Sequence, residues 1–148
     1  MVSQKCQYAI RAVFELAKRH GQGPVKISDI AEAQAIPIRF LEVILNQLRQ
    51  AGFVQSRRGP EGGYILSSAP GSLRIGAIIR FVEGPQVPVS CMTDGNREEC
   101  SLRSTCVFLG MWRRAAKALS DVYDQTSFQD LVEDETRIQR DTSNTYSI

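Results

Sequence analysis

Histidine is almost missing from this chain: one is present among 148 residues. The sequence has no phosphate-binding loop, no paired carboxylate motif and no nucleophile with a base to activate it, so enzymatic activity is poorly supported. No apolar run approaches the length of a membrane span. The first twenty residues carry charges at a helical period, which is unlike a secretory signal peptide. Together these absences favour a cytoplasmic, non-enzymatic protein with no membrane partner.

The composition is that of an ordinary globular protein, but the charge is unevenly placed. Hydrophobic residues make up 43% of the chain and charged residues 23%, which suits one domain with a core and an appended element. Residues 1–68 hold nine Lys or Arg against five Asp or Glu, whereas residues 69–148 hold nine against eleven. A basic first half is compatible with a nucleic-acid surface.

Two amphipathic segments separated by a tight turn follow the first helix of the chain. Ser28 is expected to cap a short helix over about 29–34. Pro37 suits the N-terminal edge of a longer helix over about 38–50, and Gly52 ends it. Two short helices of this kind are typical of a helix-turn-helix. The alternative is an ordinary helical hairpin in a core.

A glycine-rich hairpin comes directly after the second of these helices. Residues 53–56 and 64–66 are predicted strands, and Arg57 and Arg58 stand at the base of the tip between them. Glycines let the tip approach phosphates closely, and arginine is attracted to a narrow minor groove. As an alternative, the glycines only make a turn. A helix-turn-helix followed by such a hairpin predicts a winged helix that binds double-stranded DNA.

Three of the four cysteines, Cys91, Cys100 and Cys106, share one polar loop. That loop offers little apolar surface to bury them, although free cysteine usually behaves as a small buried hydrophobe. Soft thiolates select zinc or iron–sulfur iron. The spacing fits no standard zinc pattern, and a disulfide or unrelated thiols remain open as alternatives. The expectation of a reducing compartment argues against the disulfide.

The last third of the chain is predicted to form a long helix, a short helix and a tail. The helix over about 107–124 carries a bulky apolar stripe that needs a partner surface, for which a dimer interface is preferred over the chain's own core. Thr126 is expected to cap a short helix over 128–132, and the polar remainder is expected to be flexible. The predicted organisation is a winged helix-turn-helix domain at 1–68, a connecting helix at 69–90, a cysteine loop at 91–106, a dimerisation segment at 107–132 and a tail at 133–148. The fold class is therefore mainly α, with a two-stranded wing and a long C-terminal dimerisation helix.

Five short motifs in this sequence together carry a resemblance to a known protein family. They are Tyr8-Ala9, Ile30-Ala31, Phe40-Leu41-Glu42, Leu48-Arg49-Gln50-Ala51-Gly52 and, most specific, Arg58-Gly59-Pro60-Glu61-Gly62-Gly63-Tyr64. Over about residues 1–132 the chain closely resembles the Rrf-two family of bacterial winged-helix regulators. The resemblance implies a homodimeric transcription regulator, which is expected to be a repressor. Since two-fold proteins match two-fold DNA, the expected operator is pseudo-palindromic.

The family resemblance also implies which residues contact DNA. Pro37, Arg39, Phe40, Glu42 and Val43 occupy the positions at which IscR-like members read DNA, and Arg39 could pair bidentately with guanine. Pro37, Phe40 and Val43 depart from the Ser, Tyr and Gln found there, so the operator is expected to differ. Arg58 carries over as the wing arginine. Ser28 and the wing glycines Gly59, Gly62 and Gly63 complete the predicted DNA-binding set.

In the cluster-binding branches of the family, three cysteines in this loop hold an iron–sulfur cluster, of the 2Fe–2S or 4Fe–4S type. The resemblance therefore implies that Cys91, Cys100 and Cys106 hold such a cluster and that the protein senses iron, redox or nitric oxide status. The alternative is a cluster-free, thiol- or partner-regulated repressor of the CymR-like branch. Zinc is the other metal alternative and would be colourless.

A fourth ligand for that cluster is not evident by resemblance. Leu109 stands where IscR-like members have a histidine, and Gln7 matches the aspartate that NsrR-like members supply from the first helix of the other subunit. Cys6 lies next to Gln7. One hypothesis is that Cys6 crosses the dimer interface to complete an all-cysteine site. The alternative is a partly buried thiol at Cys6, with a small molecule or another side chain as the fourth ligand.

Overall fold

The computed structural model describes residues 1–93, 95 and 100–147, and it confirms a mainly helical fold with a two-stranded sheet. None of the helices in this described part combines the length and apolarity that crossing a membrane requires. The helices are α1 (Gln4–Lys18), α2 (Ile27–Gln34), α3 (Ile38–Gln50), α4 (Ile75–Glu83), α5 (Leu109–Gln125) and α6 (Phe128–Thr145), and strands β1 (Val54–Arg57) and β2 (Gly63–Leu66) lie between α3 and α4.

Helix α1 occupies the centre of the fold. It contacts α2, α3, α4, α6 and β2. Cys6, Ala9, Val13 and Leu16 recur at helical spacing along it and are all buried. Further small residues on this helix, among them Ala12, are buried too. Short side chains let neighbouring helices approach closely, so α1 can be surrounded on most sides.

The helix-turn-helix is built by α2, a tight turn and α3. Ala35 ends α2 with a left-handed backbone, at a φ of 51°. The next residue, Ile36, is buried, and its N–H donates to the carbonyl of Ala31 at 3.0 Å. Pro37 then stands at the N-terminal end of α3, where its missing N–H costs nothing. The predicted bounds of α3 and its stop at Gly52 are confirmed.

The predicted start of α2 is wrong. Ser28 lies inside the helix and the N-terminal capping position is Lys26, which no side chain of the described residues caps. The cause is tertiary: Val25 forms an antiparallel bridge with Tyr64 of β2 through two hydrogen bonds of 2.8 and 2.9 Å. Because this bridge fixes the extended chain up to Val25, the helix begins two residues before the expected start.

The predicted tail is also wrong, because α6 continues to Thr145. Ser127, rather than Thr126, caps it: its hydroxyl accepts from the N–H of Asp130, whose carboxylate accepts from the N–H of Ser127. Phe128 is buried at the first turn, and farther along Glu135 forms a 3.0 Å ion pair with Lys18 of α1. The capping box at the start of α6 and the ion pair between Glu135 and Lys18 thus stabilise this polar segment as a helix. Ile148 lies outside the described residues.

A buried carboxylate joins the first two helices. Glu15 on α1 is only 2% exposed, yet it accepts hydrogen bonds from Gln34 of α2 at 2.7 Å and from Arg19 at 2.9 Å. Burial raises the pKa of Glu15, but those two hydrogen bonds and the charges of Lys18 and Arg19 outweigh it, so the pKa lies below its ordinary value of 4.5. The ionised form of Glu15 therefore stabilises the α1–α2 junction.

Replacing Glu15 should destabilise the fold in a pH-dependent way. A carboxyl whose pKa is lowered by folding contributes fully above its ordinary pKa, and its contribution is lost as the pH falls through the folded value. Glu15→Gln should lower the free energy of unfolding by roughly 1–3 kcal/mol near pH 7. In urea titrations from pH 7 to pH 3, the difference from wild type should shrink on acidification. Glu133→Gln, a matched change at an exposed site, should have little effect, and a pH-independent loss in Glu15→Gln would contradict this role.

Candidate DNA interface and cysteine site

Helix α3 has one buried and one exposed side. Leu41, Ile44, Leu45 and Leu48 face the core. The predicted reading residues all lie on the outside, near the helix's N-terminal end, and all are exposed: Pro37, Arg39, Phe40, Glu42 and Val43. Since the apolar stripe anchors α3 to α1, the outer side is held as a rigid surface.

The wing projects from the same domain. Strands β1 and β2 pair antiparallel from Val54 opposite Leu66 to Arg57 opposite Gly63, and the chain turns between them. Gly59 has a φ of +106°, and its carbonyl accepts from the N–H of Gly62 at 2.9 Å. A Cβ at Gly62 would collide with the backbone of the tip. The glycines are thus required by the turn itself.

Exposed basic side chains surround this surface. Arg57 and Arg58 stand at the base of the wing, and Lys5, Lys26 and Arg39 lie on the helical part. Ser28 is exposed on α2, whereas Gly63 is half-buried against Val25, where a Cβ would collide with the Val25 backbone. A protruding helix end and a narrow hairpin within one basic domain can engage a polyanion such as duplex DNA.

The cysteine loop carries three free, half-buried thiols. Cys91 lies in a short 3-10 turn, Ser90–Met92, and Cys106 directly follows a second one, Arg103–Thr105. Arg103 donates from Nη1 to the carbonyl of Cys91 at 2.8 Å, so the two ends of the loop are held together. Residues 94 and 96–99 of this loop lie outside the described part of the chain.

These thiols fit an iron–sulfur cluster by chemistry, since three sulfur donors with partial solvent access share one loop. The structure does not gather them around one point. In residues 1–93, 95 and 100–147, no three Cys, His, Asp or Glu side chains are placed to hold one metal ion. The donor types match, and the arrangement is not that of a formed coordination sphere.

The candidate positions for a fourth ligand lie in different environments. Leu109 begins α5 and has no donor atom. Gln7 is exposed, and its side chain donates to the carbonyl of Val2. Cys6 is 0% exposed, and burial, with the charge of Glu83 as a lesser cause, raises the pKa of its thiol to about 11. Ligation by Cys6 stays a prediction. A ligating cysteine is a thiolate, and the buried position of Cys6 disfavours that charged form, so ligation requires the start of α1 to open.

Helix α5 presents an uncovered apolar side. Not one of its residues is buried, although it contacts α4 and Arg80 pairs with Asp124 at 2.7 Å. We define the α5 stripe as five exposed residues spaced three or four apart: Phe108, Met111, Ala115, Leu119 and Val122. An apolar stripe of this length is too large for a scattered set of surface residues and indicates an interaction surface.

Sequence reasoning missed two contacts that organise the site. Tyr8 of α1 packs against Phe40, with ring centroids 6.3 Å apart. Arg103 links the ends of the cysteine loop, and an arginine in a polar loop gives no sequence signal for a backbone contact twelve residues away. The burial of Cys6, by contrast, follows from its spacing with Ala9 and Val13 on one side of α1.

A family model and individual relatives match this chain over most of its length. Residues 2–134 match the model of the Rrf2 (Rrf-two) family, described as "Iron-dependent Transcriptional regulator". The HTH-type transcriptional regulator CymR of Bacillus subtilis is 38% identical over 130 residues, covering 88% of each chain. The HTH-type transcriptional regulator IscR of Erwinia tasmaniensis is 32% identical over 131 residues, covering 88% of this chain and 78% of that protein.

Solved structures agree with the sequence matches. The structure of B. subtilis CymR, described as a global cysteine regulator, superposes with a TM-score of 0.74 at 36% identity and covers 90% of this chain and 96% of that one. IscR of T. potens gives a TM-score of 0.74 at 34% identity over 94% of this chain and 90% of that one. The predicted winged helix is thereby confirmed, and the relatives are transcriptional regulators rather than enzymes. The chain belongs to the Rrf2 family of DNA-binding transcriptional regulators.

Proposed function

We propose that this protein is a homodimeric, operator-binding transcriptional repressor of the cytoplasm. We also propose that its affinity for DNA depends on an iron–sulfur cluster. The observation that carries the DNA-binding part is the exposed outer side of α3 beside the arginine-based wing. The proposal of a cluster rests on the three half-buried thiols of the cysteine loop. Such a cluster would report iron supply, redox state or nitric oxide.

The docking geometry follows from shape and charge. An α-helix with its side chains is about 10–12 Å wide, close to the major-groove width of about 12 Å. The N-terminal end of α3, with Arg39 and Glu42, would face base edges. Arg58 at the wing would then reach the minor groove, whose negative potential attracts arginine. The DNA-binding set proposed here is Ser28, Pro37, Arg39, Phe40, Glu42, Val43, Arg58, Gly59, Gly62 and Gly63.

Removing the wing arginine should weaken operator binding without unfolding the domain. Arg58 is exposed, so Arg58→Ala should leave the thermal midpoint unchanged while lowering affinity about tenfold or more, because charge-assisted hydrogen bonds contribute about 1.5–3 kcal/mol. Fluorescence anisotropy on an operator found by in vitro selection measures the effect. Arg140→Ala loses the same charge at an exposed site on α6 and should bind normally. Equal affinity of Arg58→Ala and wild type at physiological salt would reject the assignment.

Dimerisation is proposed to occur through the α5 stripe. Two copies related by a two-fold axis would lay these stripes against each other, which removes their apolar surface from water. A two-fold dimer presents two copies of α3 to two half-sites, so the expected operator is pseudo-palindromic. The stripe is continuous along α5, as an interface between long helices requires.

A charge placed in the α5 stripe should separate the dimer. Leu119→Glu puts a carboxylate into the proposed apolar interface, and its burial without a partner is strongly unfavourable. Light scattering should give the mass of a dimer for wild type and of a monomer for Leu119→Glu at micromolar concentration. Arg113→Glu is the matched control on another side of α5 and should stay dimeric. A monomeric wild type that still binds its operator tightly would count against the proposal.

The proposed cluster ligands are Cys91, Cys100 and Cys106. Bound there, the cluster would supply thiolate-ligated iron that oxidants and nitric oxide can attack. The contact of Arg103 with Cys91 supports this placement, because it brings the loop ends toward each other before any cluster is added. The loop leads directly into α5, so a change at the cysteines would be transmitted to the proposed dimer interface.

Alanine variants of the loop cysteines should lose the cluster. After reconstitution without air, wild type should be brown and take up iron and sulfide, whereas Cys91→Ala, Cys100→Ala and Cys106→Ala should not. Cys6→Ala is the matched comparison: an altered spectrum would support Cys6 as the fourth ligand, and an unaltered one would assign that place to another group. A colourless wild type with bound zinc, or one that takes up neither iron nor sulfide, would reject the cluster and leave the thiol- or partner-regulated alternative.

A further inference from the structure

Two large apolar side chains protrude from the outer side of α3. Phe40 is 58% exposed and Val43 is 56% exposed, although Leu41 and Ile44 between and beside them are buried. The two residues are three apart, so they are neighbours on the helix surface. We call this pair the α3 apolar patch. Neither core packing nor contact with phosphates accounts for it.

The patch is held in place from one side. Tyr8 of α1 packs against the Phe40 ring at 6.3 Å between centroids and 38° between planes. Tyr8, Phe40 and Val43 line an apolar depression of about 390 Å³, and Lys5 is also among its lining residues. Because one side of the Phe40 ring is supported, the exposed side is presented in a fixed orientation.

The surroundings of the patch indicate what covers it. Exposed Arg39 and Lys5 flank it, and Arg58 lies on the same domain, so the occupant is negatively charged around an apolar centre. The major groove of DNA has this arrangement, with phosphates along its edges and the 5-methyl group of thymine as an apolar feature of its floor. Glu42, also exposed, is suited to accept from the amino group of a neighbouring cytosine.

We propose that Phe40 and Val43 are specificity-determining residues that read the 5-methyl groups of thymines in the operator. The inference rests on the proposed entry of α3 into the major groove. Neighbours three apart on a helix have Cβ atoms about 5–6 Å apart, and successive bases along a strand rise by about 3.4 Å. Each half-site therefore has two methyl-bearing positions one or two base-pair steps apart.

Deoxyuridine isolates the methyl group, because it pairs as thymine does and lacks only that group. Each thymine of an operator obtained by in vitro selection is replaced singly, and binding is measured by anisotropy. Wild type should bind about fourfold more weakly at two thymines per half-site, the factor equivalent to about 0.8 kcal/mol for one buried methylene-sized group. Phe40→Ala and Val43→Ala should each abolish the difference at one of these positions. Ile138→Ala, an exposed aliphatic residue on α6, should retain both.

The variants are checked for folding by thermal unfolding. Val43→Thr, which keeps the side-chain shape while replacing one of the two methyl groups with a hydroxyl, provides a second test at that position. Its thymine preference should be reduced. A further arm methylates operator cytosines at C5: enhanced binding there with no loss on deoxyuridine substitution would mean that the patch reads methylcytosine and would overturn the thymine assignment. Specific operator binding that is indifferent to every deoxyuridine, or a thymine preference that survives both alanine variants, would also overturn it. Absence of specific DNA binding would instead reject the proposed function.

Discussion

The packing of α3 against α1 is the constraint on which the rest of the structure depends. Leu41, Ile44 and Leu45 of α3 are buried against a helix whose own face is made of small and medium side chains. Because the inner side of α3 is committed to this core, its outer side is fixed in position and direction. Helices α4 and α6 also pack against α1. The DNA-binding module and the C-terminal helices therefore share α1 as a common framework.

That framework suggests how the proposed functions are connected. The proposed cluster site lies in the loop between α4, which packs on α1, and α5, which carries the α5 stripe. Ser3 at the start of α1 donates from its N–H to Glu83 at the end of α4 at 3.0 Å. A rearrangement of the cysteine loop would therefore act on α4 and α5 together, and through them on the spacing of two copies of α3. Coupling of this kind needs no contact between cluster and DNA.

The parts of the fold that sequence predicted well are those specified locally. Pro37 and Gly52 mark both ends of α3, and the wing is encoded by its own glycines. The failures have tertiary causes. The start of α2 is set by the bridge between Val25 and Tyr64, which are far apart in sequence. The length of α6 depends on a capping box and on the pairing of Glu135 with Lys18, and neither produces the apolar period on which helix prediction relies.

The candidate site was predictable to a similar degree. Exposure of Arg39 and Phe40 follows from the buried stripe on the opposite side of α3, whereas the support that Tyr8 gives to Phe40 requires the packing of two helices. The three loop cysteines were evident from composition, but nothing in the sequence specifies how close together their thiols lie. Cys6 shows the reverse: it is fully buried beside Ala9 and Val13 on α1, whereas the sequence interpretation gave it as a cluster ligand or a partly buried thiol and did not use this helical spacing.

The state of the cysteine loop is proposed to control the affinity of the protein for DNA. This control is tested most directly by anaerobic operator titrations of one protein preparation, before and after removal of its cluster, with fluorescence anisotropy as the readout. Since allosteric coupling is typically about 1–3 kcal/mol, the two Kd values should differ about fivefold or more. Equal Kd values for cluster-loaded and cluster-free protein would contradict the claim.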